Sequence, residues 1–150
     1  MADKKRVLVS SEEEQRISRA MMAWSNSYPD LPITINRIDF EQLSADKPSM
    51  ALSTIQGAYI VAKYITGGRR CEYQFKLIYR IKPGNSNDQR LKADEVLNAF
   101  GDWARENKPN IGANVRVVRV EATTRSSMFA VYENGDEDHQ ILMNMTYEVI

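Results

Sequence analysis

The chain has one cysteine and one histidine in 150 residues. A lone cysteine, Cys71, excludes an internal disulfide framework and fits a reducing cytoplasm. One thiol and one imidazole are too few for the usual zinc ligand clusters, so neither metal nor cofactor is expected. Charge of one sign is also missing: twenty basic residues balance twenty acidic ones. A chain built to coat nucleic acid usually carries a net basic face, so that class is not indicated. Long apolar runs are absent as well. Nothing approaches the ~18 residues of a membrane span. Val7-Leu8-Val9 is far too short for the core of a signal peptide. These absences predict a soluble protein made in the cytoplasm, without a membrane partner.

What is present reads as an ordinary globular chain. Hydrophobic residues make up 43% and charged residues 27%. The length favours one domain over residues 1–150, with 1–10 as a flexible N-terminal tail. A chain of this size buries roughly two-thirds of its unfolded surface, enough for one core.

Ser10-Ser11-Glu12-Glu13-Glu14 is a helix start. Ser11 is placed to cap the amide of Glu14, with the Glu14 carboxylate reaching back as a capping box. Ile17, Ala20, Met21 and Trp24 mark one face of that helix, and Pro29 and Pro32 stop it. Ile33 to Phe40 reads as a strand whose apolar phase slips once, near Asn36-Arg37. Met50 to Ile55 reads as a second strand, broken by Gly57.

Ala58 to Ile81 reads as a hairpin. Gly67-Gly68 supplies a two-residue turn, because glycine accepts the positive φ such turns demand. That loop sets Thr66 opposite Arg69, Tyr64 opposite Cys71, Ala62 opposite Tyr73, and Ile60 opposite Phe75. Lys63 then faces Glu72 as an opposite-charge pair. A polar loop from Lys82 to Asp88 leads to a second helix capped by Ser86 or Asn87. Its stripe is Ala93, Val96, Leu97, Phe100, Trp103 and Ala104, and Gly101 is a mild cost within it. Val115 to Ala122 is a strand with a slip at Val117-Val118. Met128 to Tyr132 and Ile141 to Val149 are the last two strands. A strict two-residue loop at Asn134-Gly135 pairs Val131 with Asp138, and a longer or bulged loop fits as well.

The sum is an α+β fold: a mainly antiparallel sheet of about seven strands with two packed helices, in the order α-β-β-β-β-α-β-β-β.

Few residues qualify for chemistry. His139 sits beside a turn, and a solvent-facing strand end is the plain reading. No Gly-x-Ser-x-Gly elbow occurs. Cys71 falls on the apolar hairpin face, where cysteines act as small hydrophobes. The acidic run Glu133 to Asp138 lacks the carboxylate spacing of an EF-hand and reads as a solvated loop. Where DNA passes close by, Glu133, Asp136, Glu137 and Asp138 would repel it. Gly67-Gly68-Arg69-Arg70 does not match a P-loop and reads as a turn with a basic tip. Together these exclude the familiar enzyme signatures, and no catalytic residue is expected.

One surface stands out. The second face of the hairpin carries Tyr59, Val61, Ile65 and Ile78 among Lys63, Arg70, Gln74 and Lys76. That mixture suits an oligomer contact, unless a helix covers it.

Three stretches carry a resemblance. They are KPSMALSTIQGAYI at 47–60, EYQFKLIYRIKPGNSNDQRLKADEVLNAFGDWA at 72–104, and VRVEATTRSSMFAVYENGDEDHQILMNMTYEV at 118–149. They resemble a family of small proteins from tailed phages and prophages of Gram-positive hosts, labelled minor capsid or tail terminator proteins. The similarity covers nearly the whole chain after Ser10. It implies a helix-flanked, mainly antiparallel sheet. It also implies a structural virion protein: a subunit of a hexameric ring that caps the tail tube and joins tail to head. The implied partners are further copies of the chain, the major tail tube protein and a head-tail connector or stopper protein. DNA passes through without sequence-specific binding. A head-completion protein on the portal side and a small cytoplasmic enzyme are the rival readings.

Overall fold

A computed structural model describes residues 7–45 and 47–150. Helix α1 spans Ser11–Ser25 and helix α2 spans Asn87–Glu106. The strands are β1 (Val7–Leu8), β2 (Ile38–Phe40), β3 (Ser49–Lys63), β4 (Arg69–Ile81), β5 (Val115–Ala122), β6 (Ser127–Val131) and β7 (Glu137–Val149). The architecture is α+β, with two helices and one seven-stranded sheet.

Ser10 caps α1, its hydroxyl accepting the Glu13 amide at 3.1 Å. The expected cap at Ser11 is therefore one residue late. The Glu14 carboxylate does not reach back to form a capping box. It crosses to β3 and accepts the Ala58 amide at 2.7 Å. Residues 7–10 are not a loose tail either: β1 pairs with Tyr59 and Ile60, and the Val9 amide donates to the Ala58 carbonyl. Residues 1–6 lie outside the described part. Ser86 caps α2 by accepting the Gln89 amide at 3.2 Å, and Asn107 closes it.

Two expected strands are one. β3 runs through Gly57 without ending, because the chain bulges there. Gln56 and Gly57 take positive φ values of 59° and 77°. The pairing Thr54 with Phe75 gives way to Ala58 with Tyr73, so β3 advances further than β4. A Cβ at Gly57 would stand 2.6 Å from Glu14 Oε1, so side-chain space and backbone conformation both demand glycine. The strand expected over 33–40 shrinks to Ile38–Phe40. Ahead of it the Ile35 amide closes a turn on the Pro32 carbonyl at 2.8 Å, leaving Ile33 fully exposed. The apparent phase slip at Asn36-Arg37 is the exit from that turn.

The sheet order is β1-β3-β4-β7-β5, with β2 also on β3 and β6 also on β7. β1 and β2 thus share the outer edge of β3, at residues 59–60 and 50–52. β5 and β6 share the outer edge of β7, at 143–149 and 137–140. All pairs are antiparallel except β2 with β3. The slip foreseen near Val117-Val118 is present in β5.

Both helices pack on one face. Tyr73, Phe75, Leu77, Ile141, Met143, Met145 and Tyr147 form its floor, and Ile17, Met21, Leu97 and Phe100 its roof, all essentially inaccessible. Trp24 binds the two layers. Its ring lies 6.2 Å from Phe75 and 5.6 Å from Phe100, and its indole N–H donates to the Asn107 carbonyl at 2.6 Å. Gly101 earns its place here: a Cβ would lie 3.1 Å from Ile141 Cδ1 and 3.3 Å from Ala122 Cβ, so the helix sits close on β5 and β7.

Candidate functional site

The hairpin face chosen from the sequence is the face without helices. The structure divides its four residues. Tyr59 is buried in the sheet, its hydroxyl donating to Glu72 Oε2 at 2.5 Å. Ile78 is buried between Ala51 and Gln140 of the flanking strands. Val61 is half-exposed and lies at a bulge between Ile60 and Ala62. Ile65 stands fully exposed at the hairpin tip. The four therefore do not form one continuous patch.

The reason is the turn. The Tyr64 amide donates to the Gly68 carbonyl at 2.8 Å, and the Gly67 amide to the Tyr64 carbonyl at 3.0 Å. The loop is Ile65-Thr66-Gly67, with Gly67 alone at positive φ among them. This is a three-residue loop with a left-handed glycine, not a two-residue turn at Gly67-Gly68. Together with the two bulges, it sets Lys63 opposite Arg69, Ile60 opposite Cys71 and Thr54 opposite Phe75. The expected Lys63–Glu72 pair does not exist. The β6–β7 turn repeats the geometry. Tyr132 donates to the Asp136 carbonyl at 2.8 Å, and Gly135 to Tyr132 at 2.9 Å. Val131 consequently faces Glu137 rather than Asp138.

Between these turns the helix-free face is polar. Gln74 lies opposite Asn144, and Lys76 opposite Leu142. Gln140 Oε1, Asn144 Oδ1 and Thr146 Oγ1 are buried with no hydrogen-bond partner among the described residues. Buried oxygens are paired in the great majority of proteins, so a row of three marks this face as unusual.

The acidic loop is not solvated. Glu133 is exposed, but Asp136, Glu137 and Asp138 are buried. Asp138 takes a two-pronged bond from Arg80, at 2.7 and 2.8 Å, and accepts the Tyr132 hydroxyl at 2.8 Å. That bond to Asp138 raises the Arg80 pKa further above its ordinary value. Glu137 takes Arg90 through contacts of 2.7 to 3.0 Å. The Arg90 guanidinium holds its carboxyl below the usual range. Asn134 bonds both the amide and the carboxylate of Asp136. Three of the four acids thus fix the end of the sheet and cannot line a channel as free charges.

His139 is likewise 1% exposed, not at the surface. Its Nδ1 lies 2.9 Å from Asp94 Oδ1, and its Nε2 is 3.5 Å from Glu137 Oε1. Ser126 Oγ donates to the same Asp94 oxygen at 2.8 Å. Serine, aspartate and histidine meet, but the serine bonds the carboxylate. A nucleophile relay needs it on the imidazole. Nothing local in the sequence marks these partners. Arg80 meets Asp138 only because β4 pairs with β7, and Arg90 and Asp94 arrive from α2.

A second buried cluster lies near the start of α1. Glu13 pairs with Arg69 and accepts the Tyr147 hydroxyl at 2.9 Å. Cys71 is fully buried beside them, and burial pushes its thiol up. Arg69, two residues past the loop, therefore ties the turn end of the hairpin to α1 instead of projecting as part of a basic tip. Among the described residues, no group of three or more His, Cys, Asp or Glu is arranged to hold a metal ion. No helix among them is long and apolar enough to cross a membrane.

No family model and no curated protein matches the chain. One solved structure, titled only by an identifier, aligns over 95% of this chain and 96% of its own, at 15% identity and a TM-score of 0.45. A likeness at that level carries no argument about function.

Proposed function

We propose that this chain is a structural virion protein of a tailed phage, a tail terminator subunit that forms a ring, caps the tail tube and joins it to the head. The carrying observation is the division of the sheet. Both helices pack on one face. The other is left with embedded polar oxygens that have no partner among the described residues and an apolar hairpin tip at Ile65. A subunit that must stay dispersed until a tube end is presented is served by such mixed polarity, because a continuous apolar patch would aggregate first. The α+β fold, a mainly antiparallel sheet flanked by helices, agrees with what the sequence resemblance implies. The partners under this reading are copies of the chain, the major tail tube protein and a connector or stopper protein.

The test is electron microscopy of lysates from a phage carrying Val61→Asp plus Ile65→Asp. Under this reading the lysate holds overlong or unfinished tails detached from full heads. Complete virions at normal yield would overturn it. Normal tails beside heads that have lost their DNA would point to head completion on the portal side.

A further inference from the structure

We infer that copies of this chain associate head to tail, the edge strand β6 of one copy docking on the corner formed by β1 and the β3–β4 hairpin of the next. The contact rests on the assembly reading above and says which surfaces would make the ring.

β6 is an edge strand. Among the described residues it pairs with β7 alone, so its outer backbone groups have no strand beside them. Natural edge strands are guarded by charge, proline, bulges or shortness. From Ser127 to Val131 there is no charge and no proline, and one bulge. Met128, Phe129 and Val131 are each roughly half-exposed. The one bulge, between Met128 and Ala130, turns the Phe129 ring toward Lys76, whose ammonium lies 5.5 Å from the ring centre. That contact leaves the Phe129 ring accessible.

The second surface is at the other end of the molecule. β1 pairs only with β3 among the described residues. Val7 and Leu8 are more than half-exposed; on the same hairpin exposed Val61 adjoins their partner Ile60, and Ile65 stands exposed further on, at the tip. The two surfaces lie diagonally across the sheet. β1 reaches the row of Ile60 and Cys71, on the free edge of β3. β6 reaches the row of Ile81 and Glu137, on the free edge of β7. Those rows are ten residues apart along β4, or ~33 Å at ~3.3 Å per residue.

A second copy is the occupant that this placement selects. Each corner offers what the other needs: an unpaired strand edge flanked by exposed aliphatic side chains. The charges at their rims also complement, exposed Lys63 at the hairpin and exposed Glu133 at the β6–β7 turn. Two different patches at opposite corners let each copy use one patch toward each of two neighbours. They make a heterologous contact, which repeats and closes into a ring when the rotation permits.

The experiment uses two variants of the full chain. An edge variant carries Met128→Asp and Val131→Asp, and a corner variant carries Val61→Asp and Ile65→Asp. All four positions are exposed, so melting curves should match wild type. In sedimentation, wild type at high concentration should show species larger than a dimer, and each variant alone only monomer. Mixed in equal amounts, the variants should form a dimer and nothing larger, because one intact edge meets one intact corner. Wild type that stays monomeric at millimolar concentration would overturn the contact. So would a mixture that stays monomeric, or a corner variant that dimerises alone. If an aspartate variant unfolds, Val131→Cys and Ile65→Cys replace it. Their mixture should oxidise to the mixed dimer in clear excess over either homodimer, and equal yields would overturn the contact. Because this is read in pure protein, it can fail while the lysate phenotype holds, or hold while that phenotype fails.

Discussion

On the helix-covered face, Phe75 and Leu77 of β4 lie beside Met143 and Ile141 of β7, and all four are closed from water by α1 and α2. One residue along the same strands, Gln74 lies beside Asn144 and Arg80 beside Asp138, with no helix above them. The first face is held by apolar area and tight packing. The second is held by a few directional bonds, with oxygens between them that have no partner among the described residues. Strand alternation alone produces this contrast. The apolar face would tolerate rearrangement among similar volumes, whereas the polar face depends on particular partners. A covered face stabilises the subunit, and an uncovered one is free to meet something else.

The largest expected effect breaks the covered face. Phe100 is fully buried and touches Trp24, Tyr28 and Trp103 through ring contacts of 5.4 to 5.6 Å. Phe100→Ala should lower the unfolding free energy by ~3–5 kcal/mol, enough to unfold a marginal domain. Denaturant unfolding checks it, and an unchanged midpoint would mean that α2 is not seated as described.

Next comes the uncovered face. Asp138→Ala strands Arg80, whose side chain keeps 16% exposure. Breaking a sealed pair costs about 3–5 kcal/mol, and partial solvent access should reduce this to about 2–3 kcal/mol. The same denaturant titration reads it. A value near zero would show that the pair is ornamental and that the face has no rigid polar frame.

These two sites also differ in how legible they were. Phe100 and Trp24 follow from spacings of three and four, a local signal. The two helices, the α+β class and the slip in β5 were readable for the same reason. Asp138 reads as solvated from the sequence because Arg80 lies 58 residues away and meets it only through the β4–β7 ladder. His139 reads as exposed for the same reason, with Asp94 brought in from α2. The hairpin register failed for a subtler cause. Glycine pairs favour a two-residue turn, but here Gly67 closes a three-residue loop, and the bulges at Gln56-Gly57 and Val61 shift it further. Tyr59 and Ile78 were grouped with Val61 and Ile65 through that register, and the true one embeds the first two.

A smaller effect tests the ion pair between sheet and helix. Arg90 holds the Glu137 carboxyl below its ordinary value of 4.5, with His139 as a lesser contributor and Asp94 on the far side of the ring. A depressed folded pKa stabilises the fold above the unfolded value, and the gain is lost as pH falls through the folded value. Arg90→Gln should therefore melt below wild type at pH 7, and the gap should narrow as pH drops through the carboxylate range. Thermal melts from pH 7 to pH 3 decide it, and a gap that stays constant would show that Glu137 ionisation is not the source.

The smallest expected effect on stability is at the hairpin tip. Ile65 is fully exposed, and its loop is closed by backbone bonds from Tyr64 and Gly67 that do not involve its side chain. Ile65→Asp removes no buried area and leaves no polar group without water, so stability should stay within ~0.5 kcal/mol of wild type. Ile78→Asp is the matched control on the same face. Ile78 is buried, and a carboxylate between Ala51 and Gln140 would be desolvated, with the flanking Arg80 already paired to Asp138 and Lys76 over the Phe129 ring. A neutral Ile65→Asp beside a destabilised Ile78→Asp would separate surface from frame. Equal destabilisation would mean that the tip is packed within the subunit, and an exposed apolar side chain there would no longer argue for a partner.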